Sequence, residues 1–118
     1  MRELLGEASI GWENVDIYVD KEGNVGGSFT MAPKEGKAVI EISASDAQQA
    51  ISILVHETIE FAMTRMECRL APSPEITGGH DTYLFVMRHY QFSEVSARTS
   101  EFIMKMITKI MAHYKKKG

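Results

Sequence analysis

The segment from Ser45 to Arg69 constrains this chain more than any other. Ser45-Asp46-Ala47-Gln48 is a capping-box pattern, which sets a helix N-cap at Ser45 or a neighbour. The helix is expected to run to about Arg69 and to end before Pro72. Inside it lies Leu54-Val55-His56-Glu57-Thr58-Ile59-Glu60-Phe61-Ala62-Met63. Residues four apart on a helix project from one face, roughly 6 Å apart at Cβ, so His56 and Glu60 point the same way. Both then come within reach of a single metal ion, which needs about 2.0–2.2 Å to an imidazole nitrogen or a carboxylate oxygen. Glu57 points about 100° round the same helix, where it would touch a water on that ion without ligating it. The pattern is that of the metal-binding H-E-x-x-H helix with a glutamate in place of the second histidine. Ile51, Val55, Ile59, Ala62 and Met66 form an apolar stripe expected to face the core, with Gln49, His56, Glu60 and Glu67 on another side.

Ahead of this helix, Glu13 to Asp20 alternates, with Val15, Ile17 and Val19 on one side, which is the pattern of a half-buried strand. A turn at Lys21-Glu22-Gly23-Asn24 leads to Val25 to Met31, whose strand character is weakened by Gly26 and Gly27. After a second turn, Ala38 to Ser43 reads as a third strand. The short turns predict a three-stranded antiparallel meander. Trp12 is expected to anchor the core beside the first strand. Beyond the long helix, Leu70 to Gly79 is a Pro/Gly loop. His80 to about Tyr90 reads as a shorter helix, with His80, Tyr83, Leu84, Met87 and Tyr90 on one face. Ser93 to Tyr114 reads as a long amphipathic helix carrying Val95, Phe102, Ile103, Met106 and Ile110 as its stripe, with Thr99 among them. The expected fold class is therefore α+β: a small sheet, the motif-bearing helix, a shorter helix and a long C-terminal one.

A chain of 118 residues makes one domain, 1–118, able to bury a core without disulfides. A net charge of −3 argues against nucleic acid as the main partner, and no stretch approaches the roughly 20 apolar residues of a membrane span. The single cysteine, Cys68, cannot pair within the chain and reads as a small buried hydrophobe. Together these features lead to the expectation of a soluble protein of a reducing, cytoplasmic compartment.

A catalytic zinc usually keeps three protein ligands and one open position. His56 and Glu60 supply two. His80 is the first choice for the third, because it follows a loop able to fold back and shares a face with apolar residues. Glu94 is the runner-up, on a face populated by Arg98, Glu101 and Lys105. His89 and His113 rank below both. Tyr83 could donate to an oxyanion, although a core tyrosine is the simpler reading.

Three strands ending in Ala38 to Ser43, followed by a helix bearing His56-Glu57-Thr58-Ile59-Glu60, resemble the minimal upper lobe of the zincin metallopeptidases. With His80 added, the pattern is similar to small H-E-x-x-E proteins of phage and mobile elements. The likeness covers about Val15 to Tyr90. It implies a gluzincin-like zinc site and an edge strand, here Ala38 to Ser43, along which a peptide substrate aligns. The carboxylate of Glu60 would accept manganese or iron as well as zinc. Two functions from different classes follow. One is metal-assisted peptide hydrolysis with His56, Glu60 and His80 as ligands and Glu57 as general base. The other is a non-catalytic binding or assembly module, its metal structural or absent, whose C-terminal helix docks a partner or a second copy.

Overall fold

The computed structural model describes residues 2–11, 13–31, 37–70 and 83–115. In chain order the elements are β1 (Arg2–Ile10), β2 (Glu13–Asp20), β3 (Gly26–Thr30), β4 (Ala38–Ser43), α1 (Ala47–Arg65), β5 (Arg69–Leu70), β6 (Leu84–Phe85) and α2 (His89–Lys115). The class is α+β, but the sheet has four strands and is mixed. β1, which is not among the three expected strands, pairs antiparallel with β2 and closes on it at Ile10↔Glu13. Gly11, in the connection between them, sits at φ 67, the left-handed region that glycine enters without strain. β2 then runs parallel to β4, from Val15↔Ala38 to Asp20↔Ser43. β3 lies antiparallel on the far side of β4, giving the order β1-β2-β4-β3.

The antiparallel meander is thus replaced by an arrangement in which β4 slots between β2 and β3. Burial explains the order. β4 contributes Ala38, Ile40 and Ile42, all fully buried, whereas Phe29 is the only large apolar side chain of β3. The strand with more to bury takes the centre, and β4 is therefore not an edge strand. The exposed edge beside β4 is β3.

Val15, Ile17 and Val19 turn the same sheet face inward as Ile40 and Ile42. The opposite face is polar, where Arg2 stacks over the Tyr18 ring at 3.8 Å and pairs with Glu41. Such one-sided burial is common for sheets with antiparallel pairs. Both helices cover the inner face. α1 packs on β3, β4 and α2, and α2 also lies along β1. Tyr114 Oη donates to the Ala44 carbonyl (2.7 Å) and Lys21 Nζ to the His113 carbonyl (2.8 Å), which fastens the end of α2 to the loops beside β2 and β4.

The start of α1 follows the capping pattern. Asp46 is the N-cap, its side chain accepting from the Gln49 amide at 2.9 Å, while the Ser45 amide donates to Gln49 Oε1 at 3.2 Å. The helix ends at Arg65, four residues short of the expectation. Its rotation also differs. The buried side chains are Ala50, Leu54, Glu57, Thr58, Phe61, Ala62 and Met63, so of the expected stripe only Ala62 is buried and Ile59 is 36% exposed. α1 carries apolar residues round much of its circumference, and covering by β3 on one side and α2 on another selects the face.

The stripe of α2 is the expected one except that Ile103 is only partly buried; Val95, Thr99, Phe102, Met106 and Ile110 are buried. This helix starts at His89 rather than Ser93. The shorter helix expected over 80–90 is absent from the described residues 83–88, where Leu84–Phe85 pairs with Arg69–Leu70 as a two-residue ribbon. Trp12 and His80 lie outside the described residues. Among the described residues, no helix is long and apolar enough to cross a membrane.

Candidate functional site

The middle of α1 passes beneath the edge strand β3, and the approach is close. A methyl group at Gly27 would meet Ile53 Cγ2 and Glu57 Cγ, the latter at 3.1 Å. Glu57 is therefore tucked under β3 and only 8% exposed. The sequence places Glu57 off the His56/Glu60 face, and the structure adds that the strand covers it. Its neighbour His56, one helical step round, has a side chain 68% exposed. Glu60, one turn on, lies between these extremes at 18%.

The three side chains converge. His56 Nε2 lies 3.2 Å from Glu60 Oε1 and 3.8 Å from Glu57 Oε2. Burial raises the Glu57 carboxyl above its ordinary range. His56 opposes that shift and the nearby Glu60 carboxylate adds to it. The second oxygen of Glu60 is occupied, since Arg69 Nη1 donates to Oε2 at 2.8 Å. Two ligands about 2.1 Å from one ion at a tetrahedral angle stand about 3.4 Å apart, so the His56–Glu60 separation fits a shared ion. It is equally an ion-pair distance between the two side chains within the protein.

The remaining candidates are placed differently. His80, the expected third ligand, falls outside the described residues. Glu94, the runner-up, pairs with Arg98 at 3.3 Å and lines a groove of about 320 Å³ with Ala8, Ser9 and Lys105, at the β1 end of the sheet rather than the β3 end. His89 begins α2 and is exposed; His113 sits near its other end, 3.9 Å from Glu3. Cys68 is fully buried and burial raises its thiol pKa, which fits a packing residue. Among the described residues, no group of three or more His, Cys, Asp or Glu side chains is arranged to hold a metal ion.

Sequence reasoning missed Arg69, Gly27 and Phe29. Arg69 follows Glu60 by nine positions, a spacing that no helical rule brings together. A glycine inside a strand does mark a close approach of another element, and Gly27 was legible on that ground. Comparison with family models, curated proteins and solved structures finds no match to this chain.

Proposed function

We propose that the chain is a small metal-dependent hydrolase of the zincin kind, acting on peptide bonds through its H-E-x-x-E helix. The observation that carries this reading is the convergence of His56 Nε2 and Glu60 Oε1 to 3.2 Å with the Glu57 carboxyl alongside. His56 and Glu60 would hold the ion, with His80 as third ligand. Zinc is the first candidate, and manganese or iron would suit the carboxylate. A divalent ion held there would polarise a carbonyl and lower the pKa of its water towards about 7. Glu57 takes a proton from the attacking water and passes it to the leaving amine. Its desolvated position raises its affinity for that proton. The zincin likeness assigns substrate alignment to an edge strand, and in this fold that role passes from β4 to β3, which lies directly over Glu57.

A second reading is favoured by one observation. Each oxygen of Glu60 already faces a partner within the protein, Arg69 and His56, which suits a structural ion-pair cluster on a non-catalytic module. Elemental analysis of protein purified without added metal or a histidine tag separates the two. The hydrolase reading expects one transition metal per chain, lost in His56→Ala and His80→Ala. Glu57→Gln should retain metal and lose about 10² to 10⁴ in cleavage of a peptide library. Metal-free protein that gains no cleavage when loaded would leave the module reading standing.

A further inference from the structure

The end of α1 is built to send the chain back along the helix. The Cys68 amide donates to the Met63 carbonyl at 2.8 Å and the Glu67 amide to the Thr64 carbonyl at 3.1 Å, with Glu67 at φ 60. These bonds form a Schellman cap, which reverses the backbone. Cys68 then drops into the core as a fully buried plug, and the Val86 amide donates to its carbonyl at 2.9 Å. The next residue, Arg69, is thereby laid against Glu60, more than one turn back from the end of α1.

The guanidinium of Arg69 is held on several sides. Its central carbon lies 4.2 Å from the Tyr83 ring centroid and 5.3 Å from that of Phe29. Cation–aromatic contacts of this kind fix orientation as well as charge. The Arg69 side chain is 22% exposed. Its Nη1 takes Glu60 Oε2, leaving Oε1 facing His56 Nε2. A glutamate carboxylate otherwise turns freely about its last torsion, whose preference is broad. With Oε2 held, only one oxygen is presented to the histidine.

We propose that Arg69 is a positioning residue: it clamps Oε2 of Glu60 so that Oε1 alone is offered, together with His56 Nε2, to a divalent cation. This assignment rests on the metal-site reading above. It predicts a preset, one-oxygen ligand instead of a carboxylate that must be ordered on binding. Residues that orient metal ligands from behind typically contribute roughly 10- to 100-fold in affinity.

The test uses Co²⁺ as probe with the full chain, comparing wild type, Arg69→Met and Arg69→Lys by calorimetric titration at fixed pH. Arg69→Met should weaken Co²⁺ binding roughly 10- to 100-fold, and Arg69→Lys should recover part of the loss. In parallel, long-range ¹⁵N spectra of the metal-free proteins report which imidazole nitrogen of His56 carries the proton. The His56 ring-nitrogen resonances should differ between wild type and Arg69→Met, because Oε1 of Glu60 no longer keeps one place against the ring once Oε2 is released. Unchanged Co²⁺ affinity in Arg69→Met, with only its melting temperature lowered, would make Arg69 a purely structural residue and overturn the proposal. Wild type that takes no Co²⁺ refutes the metal site instead. The His56 spectra then decide the clamp alone, and spectra identical in wild type and Arg69→Met overturn it. If Arg69→Met does not fold, Tyr83→Leu removes one ring from the guanidinium at a half-exposed position and is read in the same two assays, with a loss of the same sign.

Discussion

Replacing Gly27 by alanine probes the contact on which the candidate site is built. The glycine is not needed for its backbone angle, since Gly11 is the only described glycine with positive φ. Alanine would by itself stabilise the chain, by about 0.4–1 kcal/mol through the unfolded state. Space is what opposes it. A Cβ at position 27 would lie closer than 3.0 Å to Ile53 Cγ2, 3.1 Å from Glu57 Cγ and 3.3 Å from the Glu41 carbonyl oxygen. Ile53 Cγ2 is a branch methyl on a stiff helical rotamer and cannot swing away as a flexible chain end would. Carbon atoms prefer about 3.5–4.0 Å, so strand and helix must part by about an ångström. Overpacking of this kind costs about 1–3 kcal/mol. The severity puts it near the upper end, for a net loss of about 2 kcal/mol after the entropic gain. Ile53→Leu keeps the carbon count and removes the offending branch. In that background Gly27→Ala should cost less than about 1 kcal/mol, a coupling of about 1–2 kcal/mol. Urea unfolding followed by circular dichroism reads all four proteins of the cycle. An equal cost in both backgrounds, or a cost below about 0.5 kcal/mol in the first, would show that β3 does not press on α1 as described.

Two further outcomes follow from the same region. Glu67→Gly should raise stability by about 0.5–1 kcal/mol, because a non-glycine residue at φ 60 costs about 1–2 kcal/mol and glycine returns part of that gain as unfolded-state entropy; a loss in urea unfolding would mean that the Glu67 side chain supports the cap. For metal-free protein, the raised Glu57 carboxyl means that the native state holds more protons than the unfolded one between the ordinary value of 4.5 and the higher native value. Wild-type stability should fall as pH rises through that window, Glu57→Gln should lack this component, and a pH-independent difference between the two proteins would refute the assignment.

What was legible in the sequence was whatever buries one face with one period. Val15, Ile17 and Val19 alternate against polar neighbours, and Val95, Thr99, Phe102, Met106 and Ile110 repeat at helical spacing over a polar back; both are buried as read. Strand order was not legible, because a five-residue connection between β2 and β3 suggests a hairpin while the decisive pairing, β2 with β4, is long-range. β1 is not legible because its register shifts between Leu4 and Gly6, which breaks the alternation that marks a strand. Tyr83 to Met87 is a short apolar run, and periodicity alone does not separate strand from helix in such runs.

The phase of α1 matters most for function, because it sets which of two adjacent residues meets water. Glu57 is covered by the same close approach that excludes a side chain at Gly27, so one packing contact both orders the edge strand and desolvates the carboxyl. For the fold alone this arrangement is unfavourable. Burial of a carboxylate costs free energy unless it is paired and hydrogen-bonded, and the side chain facing Glu57 is the exposed His56, at 3.8 Å. An apolar side chain at position 57 would pack beneath β3 without that cost. A chain that breaks a packing rule at one position, beside a convergent histidine and glutamate, follows the pattern in which local unfavourable choices gather at sites of chemistry. Glu57→Gln retains the shape while removing the charge, so the stability it gains and any turnover it loses measure the two sides of that compromise in one variant.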